Sequence, residues 1–307
     1  PLSTLHSPLS TLHSPLSTLH SPQPHTTHMK KQLSSLTLAL ALTTASHAVT
    51  MFDIVIDFGS STFTTSQQAA FTNAEATWES LITSYNTTGV TSGTTLTISA
   101  NNPLLDGAGG TLGSAGPSTG SSFGGSYLYA LTGSMSFDSA DVAALETDGT
   151  WEAVILHEMA HVIGIGTLWS SSDVGIPGSQ ELYVDGSGQY TGATGLAAYQ
   201  QEFVGQESAT FVPVELGGGG GTANGHWNEG DGGFATGITR VSDGQDMNLM
   251  LMSGWLNGGS YISDTTLGSF EDLGYNTTLV LNAVPEPSSA LLLLAGFMGI
   301  SLHRRRA

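Results

Sequence analysis

The sequence contains no cysteine and very few basic residues, and both absences restrict what the protein can be. Without cysteine it has no disulfide scaffold, no thiolate metal site and no cysteine nucleophile. Between residues 49 and 283, Arg240 is the only basic residue against 24 carboxylates, a net charge of about −23. Such a surface repels phosphate backbones, so we expect no nucleic-acid partner. Only 10% of the residues are charged, which is too few for a disordered acidic tail.

The first 48 residues contain two segments that we expect to lie outside the folded part. Residues 1–28 begin with three copies of PLSTLHS, and the proline in each copy excludes a continuous helix. We interpret them as a low-complexity repeat that precedes the true start at Met29. Two lysines, a short apolar stretch and the small-residue pattern of Ser46, His47 and Ala48 then predict a secretory signal peptide over residues 29–48.

The last 24 residues form a tail of three parts. The letters VPEPSS are followed by an apolar run over residues 290–302 and by three consecutive arginines. Residues 284–307 therefore resemble the PEP-CTERM sorting signal of Gram-negative bacteria. The resemblance implies an exosortase-type processing enzyme as partner and membrane contact only through this transient tail. It also implies a secreted or cell-surface location, including the extracellular matrix.

The remaining residues, 49–283, are expected to form the functional domain. Alternating apolar and polar residues predict strands at 52–58 and 94–100, and an apolar stripe predicts a helix over 65–85. Residues 101–125 are rich in glycine, serine and proline and predict a loop. Strands first, then helices, then a loop-rich half predict an α+β fold divided by a cleft.

Residues 157–161 read HEMAH and lie in a second predicted helix, residues 150–163. His157 and His161 are one turn apart on one face, so both imidazoles can reach the same ion. Glu158 is placed to bond a metal-bound water rather than the metal. The apolar flanks favour a buried helix over two solvated surface histidines. The pattern predicts a zinc site in which Glu158 bonds the metal-bound water.

A catalytic zinc usually has three protein ligands and one open position. Thr167 occupies the position of the third histidine in the metzincin pattern, so the third ligand must come from farther along the chain. One candidate is Glu181, at the separation from His161 found in thermolysin-like enzymes. The other is His226, the only further histidine within residues 49–283. The sequence favours His226 and leaves Glu181 open.

Four segments together resemble the leishmanolysin-like zinc metallopeptidases, specifically their secreted bacterial members: HEMAHVIGIGTLW, GHWNE, LMSGWLN and SFEDLGY. The resemblance spans residues 52–275. It implies a metzincin-like, two-lobed α+β fold with an N-terminal mixed sheet, an active-site helix and a loop-rich C-terminal lobe. It further implies zinc ligands His157, His161 and His226, with Glu158 as base. A Met-turn is expected at Met252, with Met250 as the alternate.

The predicted function is therefore a secreted zinc endopeptidase that acts on protein or peptide substrates. The alternative is a catalytically silent, zinc-binding structural protein of the surface or matrix, and the presence of Glu158 favours the enzyme. Tyr261 is a candidate oxyanion stabiliser, although a packing role is favoured. Calcium is a weaker expectation, because the aspartates that could hold it match no calcium-loop spacing: Asp138, Asp141, Asp231, Asp243 and Asp246.

Overall fold

The computed structural model describes residues 3–6, 52–90, 93–170 and 181–282. The predicted signal peptide, the C-terminal tail and all of the N-terminal repeat except residues 3–6 lie outside the described residues. None of the helices in these described ranges has the length and apolarity that crossing a membrane requires.

The described elements are named here in chain order. The strands are β1 Ser3–His6, β2 Ile54–Asp57, β3 Ile82–Tyr85, β4 Leu96–Asn101, β5 Thr111–Ser121, β6 Tyr129–Phe137, β7 Gln189–Tyr190, β8 Val212–Pro213 and β9 Tyr275–Thr277. The α-helices are α1 Thr65–Leu81, α2 Val142–Asp148, α3 Trp151–Ile163, α4 Ala193–Glu202 and α5 Asp264–Asp272, and a 3₁₀ helix covers Met247–Leu249.

The main sheet has five strands in the order β1-β5-β6-β4-β2. The expectation that the N-terminal repeat lies outside the folded part is wrong for Ser3–His6, because these residues pair with β5 and form an edge strand. β2, β4 and β6 are parallel, while β5 runs antiparallel to β6 and β1 antiparallel to β5, so the sheet is mixed as expected. The outer side of β2 is closed by α1, because Glu79 accepts the amide of Ile54 and Glu75 that of Ile56. Burial raises the pKa of both glutamates.

Helix α1 begins at a capping box formed by Thr64 and Gln67 and ends at Leu81. The predicted helix over 65–85 is therefore four residues too long. Ile82 and Tyr85 are buried, and residues 82–85 form β3, which pairs with β9. A β-branched isoleucine and threonine followed by a tyrosine suit a strand, and the distant β9 supplies the partner.

The prediction of a loop over residues 101–125 is wrong in its second half. Residues 111–121 form the eleven-residue strand β5, although they are rich in glycine and serine and include Pro117. The register with β6 shifts next to Pro117, which has no amide hydrogen to give to the ladder. Pairing with β6 thus overrides the weak strand propensity of this segment.

Helix α3 contacts both α1 and the strands β5 and β6 of the sheet, and it carries the HEMAH residues. The Trp78 indole of α1 donates a hydrogen bond of 3.1 Å to the Leu156 carbonyl oxygen, which ties the two helices together. On the other side, a Cβ atom at Gly133 of β6 would lie 2.3 Å from Val162 Cγ1. The absence of a side chain there lets α3 approach the sheet closely. The helix ends at Ile163 and is capped by Gly164, where φ is 147°.

Two carboxylates, the buried Glu202 and the half-buried Asp272, hold two helices of the loop-rich C-terminal half together. Asp272 accepts the amides of Thr194 and Gly195 at the start of α4, and Glu202 accepts the amides of Asp264 and Thr265 at the start of α5. Each helix is thereby fixed to the other through its first turn, where unpaired amide groups attract a carboxylate.

Candidate metal centre

Three imidazole rings meet at one point between α3 and the loop-rich half. His157 Nε2 lies 2.9 Å from His161 Nε2 and 3.0 Å from His226 Nε2, and the distance between His161 Nε2 and His226 Nε2 is 3.0 Å. The three residues are at most 1% exposed. Within the described residues they form the only group of three or more potential metal-ligating side chains.

The other nitrogen of each ring contacts a backbone carbonyl oxygen. The Nδ1 atoms lie 2.6 Å from Leu251 O for His157, 2.8 Å from Ile165 O for His161 and 2.8 Å from Thr222 O for His226. A carbonyl oxygen can only accept, so each Nδ1 carries the hydrogen and each Nε2 presents a lone pair. Backbone acceptors of this kind fix the tautomer and orientation of metal-binding histidines.

These lone pairs cannot stabilise one another. Three Nε2 acceptors 3 Å apart, without a proton between them, repel each other, and a cation at their centre removes this repulsion. Burial, followed by the neighbouring imidazoles, lowers the pKa of His157 and His161 well below the ordinary value. Neutral imidazole is the form that binds metal, so this donor set fits a zinc ion.

The turn that follows α3 contacts the stretch that carries His226, and it is fixed to the end of α3 by Thr167. A Cβ atom at Gly166, where φ is 70°, would lie 2.2 Å from the carbonyl oxygen of Gly225. The turn after α3 thus packs backbone to backbone against the residue that precedes His226. Thr167 is fully buried, and its hydroxyl donates to the His161 carbonyl oxygen at 2.5 Å.

Of the two candidates for the third ligand, the structure brings only His226 to the pair on α3. Glu181 is exposed and does not join the group. The zinc itself remains a prediction, but the residues named by the sequence for its binding are together.

Glu158 lies beside this group in an unusual environment. The residue is completely buried, and both carboxylate oxygens lack a hydrogen-bond partner among the described residues. Strand β5 passes directly over it, since a Cβ atom at Gly113 would lie 2.7 Å from Glu158 Oε1. Burial raises the pKa of Glu158 well above its ordinary value. An unpaired buried carboxyl group destabilises the fold, which suggests a role other than stability.

Both methionines predicted for the Met-turn lie in the segment that supports His157. Met250 and Met252 are at most 1% exposed, and the carbonyl oxygen between them, that of Leu251, accepts from His157. The Met252 carbonyl oxygen accepts the Trp227 amide, one residue after His226. This segment therefore contacts both histidine-bearing stretches, helix α3 and the stretch around His226, and the choice between Met252 and Met250 stays a prediction.

Tyr261 is engaged elsewhere. Its backbone pairs with Leu249 and Leu251, and its ring packs against the guanidinium of Arg240, 3.7 Å from Cζ to the ring centroid. Burial raises the pKa of its hydroxyl. These contacts support the packing role over that of oxyanion stabiliser.

The aspartates considered for calcium mostly serve the backbone. Asp138 accepts four amides, and the Asp246 carboxylate accepts the amides of Thr236, Gly237 and Asn248. These bonds lower the pKa of both groups against the effect of burial. Asp141 accepts the amide of Gly109, Asp243 pairs with Arg240, and Asp231 is exposed. The contacts give each buried aspartate a structural role, and calcium binding remains untested.

One buried residue near the centre was not found by sequence reasoning. Glu229, three residues after His226, is 3% exposed, and its Oε2 accepts the Gly254 amide at 2.9 Å. Burial, with a smaller contribution from Glu215, raises its pKa to about 8 from the ordinary 4.5. In the sequence, a glutamate in a glycine-rich stretch gives no sign of burial.

This pKa predicts how stability depends on pH. Between pH 4.5 and about 8 the folded protein keeps the Glu229 proton while the unfolded chain loses it. The free energy of unfolding of the metal-free protein should therefore fall as the pH rises through this window. Glu229→Gln should reduce the decline, as measured by urea unfolding at several pH values. The exposed Glu207→Gln serves as control and should keep it. Equal slopes for the unsubstituted protein and Glu229→Gln would show that Glu229 is not the group responsible.

Comparison with known proteins bears on the end of the chain. A protein-family model of the PEP-CTERM protein-sorting motif matches residues 283–306. The chain carries a PEP-CTERM sorting signal. The predicted tail over 284–307 is thus confirmed, and with it an extracellular or cell-surface protein of Gram-negative bacteria that an exosortase processes at its C-terminus. No curated protein matches the chain.

Proposed function

We propose that this PEP-CTERM protein is a secreted zinc-dependent endopeptidase, released or retained at the cell surface or in the extracellular matrix. One observation carries the proposal. Three Nε2 lone pairs converge within 3.0 Å of one another, and the residue after His157, Glu158, is a buried carboxylate without a hydrogen-bond partner among the described residues. This is the donor set of a three-histidine catalytic zinc site together with a general base. The leishmanolysin-like family and a metzincin-like fold are part of the proposal.

The chemistry divides between the ion and Glu158. Zinc, when held by the three imidazoles, supplies Lewis acidity and lowers the pKa of water toward neutrality. Glu158 takes a proton from the attacking water through a carboxylate oxygen and passes it to the nitrogen of the leaving amine. Burial raises the pKa of Glu158, and a higher pKa makes its carboxylate a stronger base toward the proton of this water.

The edge of β5 supports a peptide as substrate. Residues Ser3–His6 pair antiparallel with residues 111–115 of β5, in the part of the strand that covers Glu158. This edge thus accommodates an extended segment through backbone hydrogen bonds, the way in which extended peptides add to a sheet.

A second function is supported by the burial of the site. Structural zinc sites are closed, whereas catalytic sites keep a position open to water and substrate. The three histidines and Glu158 are at most 1% exposed, which favours the catalytically silent, zinc-binding structural protein. The strand β1 on the edge of β5 also contacts α3, and it contributes to this closure.

A gelatin or casein zymogram separates the two functions. We expect the protein to clear the gel, to lose this activity in a chelator and to regain it when zinc is added back. The Glu158→Gln variant is the matched control and should not clear the gel. A protein that binds one zinc per chain but clears nothing would instead be the silent alternative.

A further inference from the structure

The segment from Leu251 to Gly254 is the common support of two histidines. Its first carbonyl oxygen, that of Leu251, orients His157, and its second, that of Met252, accepts the amide of Trp227. Its last residue, Gly254, donates its amide to Glu229. Trp227 and Glu229 belong to the stretch that follows His226, so this stretch is attached to the segment at two points.

The second attachment lies against the residue that orients His226. A Cβ atom added to Gly254 would lie 2.2 Å from Thr222 Cγ2 and 3.2 Å from Glu229 Oε1. Thr222 is the residue whose carbonyl oxygen contacts His226 Nδ1. Thr222 and the Glu229 carboxyl group therefore both lie close to Gly254, and they leave no room there for even a methyl side chain.

In the described part of the chain, the Glu229 carboxyl group makes a single hydrogen bond. Oε2 makes the bond to Gly254, while Oε1 is buried without a hydrogen-bond partner in the described part of the chain. Burying a carboxyl group with one unpaired oxygen disfavours folding, and an apolar side chain would avoid this. Buried polar residues that destabilise the fold in this way commonly orient the ligands of a functional site.

We propose that Glu229 is a positioning residue of the metal centre: it fixes the backbone that orients His226 against the backbone that orients His157. The bond from Gly254 keeps Thr222 in place, and Thr222 keeps the third Nε2 lone pair directed at the other two. The proposal rests on the metal-binding part of the proposed function and not on peptide hydrolysis.

Two substitutions of similar volume separate the hydrogen bond from simple packing. Glu229→Gln keeps an oxygen that accepts the Gly254 amide, whereas Glu229→Met fills the space without an acceptor. By chelator competition, we expect Glu229→Met to bind zinc about 10–100-fold more weakly, the usual effect of losing a residue that orients a ligand. Glu229→Gln should stay within about threefold of the unsubstituted protein.

Glu202→Met is the matched control. Glu202 is also a buried carboxyl group that accepts backbone amides, but the amides it accepts belong to Asp264 and Thr265 at the start of α5. Its loss should lower the melting temperature and leave zinc affinity unchanged. Equal zinc affinity for Glu229→Met and the unsubstituted protein would overturn the proposal. So would a Glu202→Met variant that is weakened as much, or a Glu229→Gln variant as weak as Glu229→Met.

Amide hydrogen exchange of the metal-free protein tests the hydrogen bond between Gly254 and Glu229 without zinc. In Glu229→Met, the amides of Gly254 and Trp227 should exchange about tenfold faster or more, as expected when a hydrogen bond to a buried carboxyl group is lost. Unchanged exchange would overturn the proposal, even if the protein bound no metal and the proposed function failed. Glu229→Ala takes the place of the methionine variant if the latter does not fold.

Discussion

Replacing His226 with alanine is expected to abolish both zinc binding and peptide hydrolysis. The substitution removes one of three Nε2 donors that lie within 3.0 Å of one another. The two remaining histidines would share the ion with solvent. The loss of zinc affinity should therefore exceed the 10–100-fold that follows removal of a residue that only orients a ligand. Metal analysis after dialysis and peptidase rates measure the two effects.

Glu181→Gln is the control for the alternative ligand. Glu181 is exposed and does not join the histidine group, so this variant should keep about one zinc per chain and full activity. If Glu181→Gln lost the zinc while His226→Ala kept it and stayed active, the three-histidine site would be wrong.

The histidine pair could be predicted from the sequence because helical periodicity is local. Four residues separate His157 from His161, and in any helix this spacing puts both on one face. His226 could be named because the chain has no further histidine between residues 49 and 283 and because it lies in one of the segments that carry the family resemblance. The contact that brings it to α3, Gly166 against Gly225, joins two glycines without any sequence signal of their meeting.

Strand β5 shows why other elements of the fold could not be predicted from the sequence. Its composition is that of a loop, and it becomes a strand because β6 offers a register for pairing. The end of α1 has the same cause, since residues 82–85 leave the helix to pair with β9, almost 200 residues later. Long-range pairing decided both elements, and a single sequence gives little information about it.

The groups that orient the histidines were invisible for a different reason. The atoms that fix the three tautomers are backbone carbonyl oxygens of Leu251, Ile165 and Thr222. Any residue type can supply a carbonyl oxygen, so no motif reveals them. Glu229 acts on this backbone, which explains why sequence reasoning passed over it.

Substituting Glu158 with glutamine is expected to remove hydrolysis while zinc stays bound. Glutamine keeps the shape of the side chain and leaves all three histidines in place, but its amide cannot take a proton from water. The rate constant should fall about 10²–10⁴-fold, the range for loss of a general base. Peptidase rates and metal content of the same preparation measure the two outcomes.

The stability of this variant distinguishes catalysis from structure. Both oxygens of Glu158 are buried without a hydrogen-bond partner among the described residues, and burial raises the pKa of the group. A structural carboxylate would lose its bonds on substitution, and the melting temperature would drop. Glu158 has no such bonds to lose, and a neutral amide is less costly to bury than a carboxylate. The metal-free Glu158→Gln protein should therefore melt at or above the temperature of the unsubstituted protein. A clear decrease in melting temperature would show that Glu158 has a structural role and is not kept at the expense of stability. Retained activity with zinc bound would rule out Glu158 as the general base.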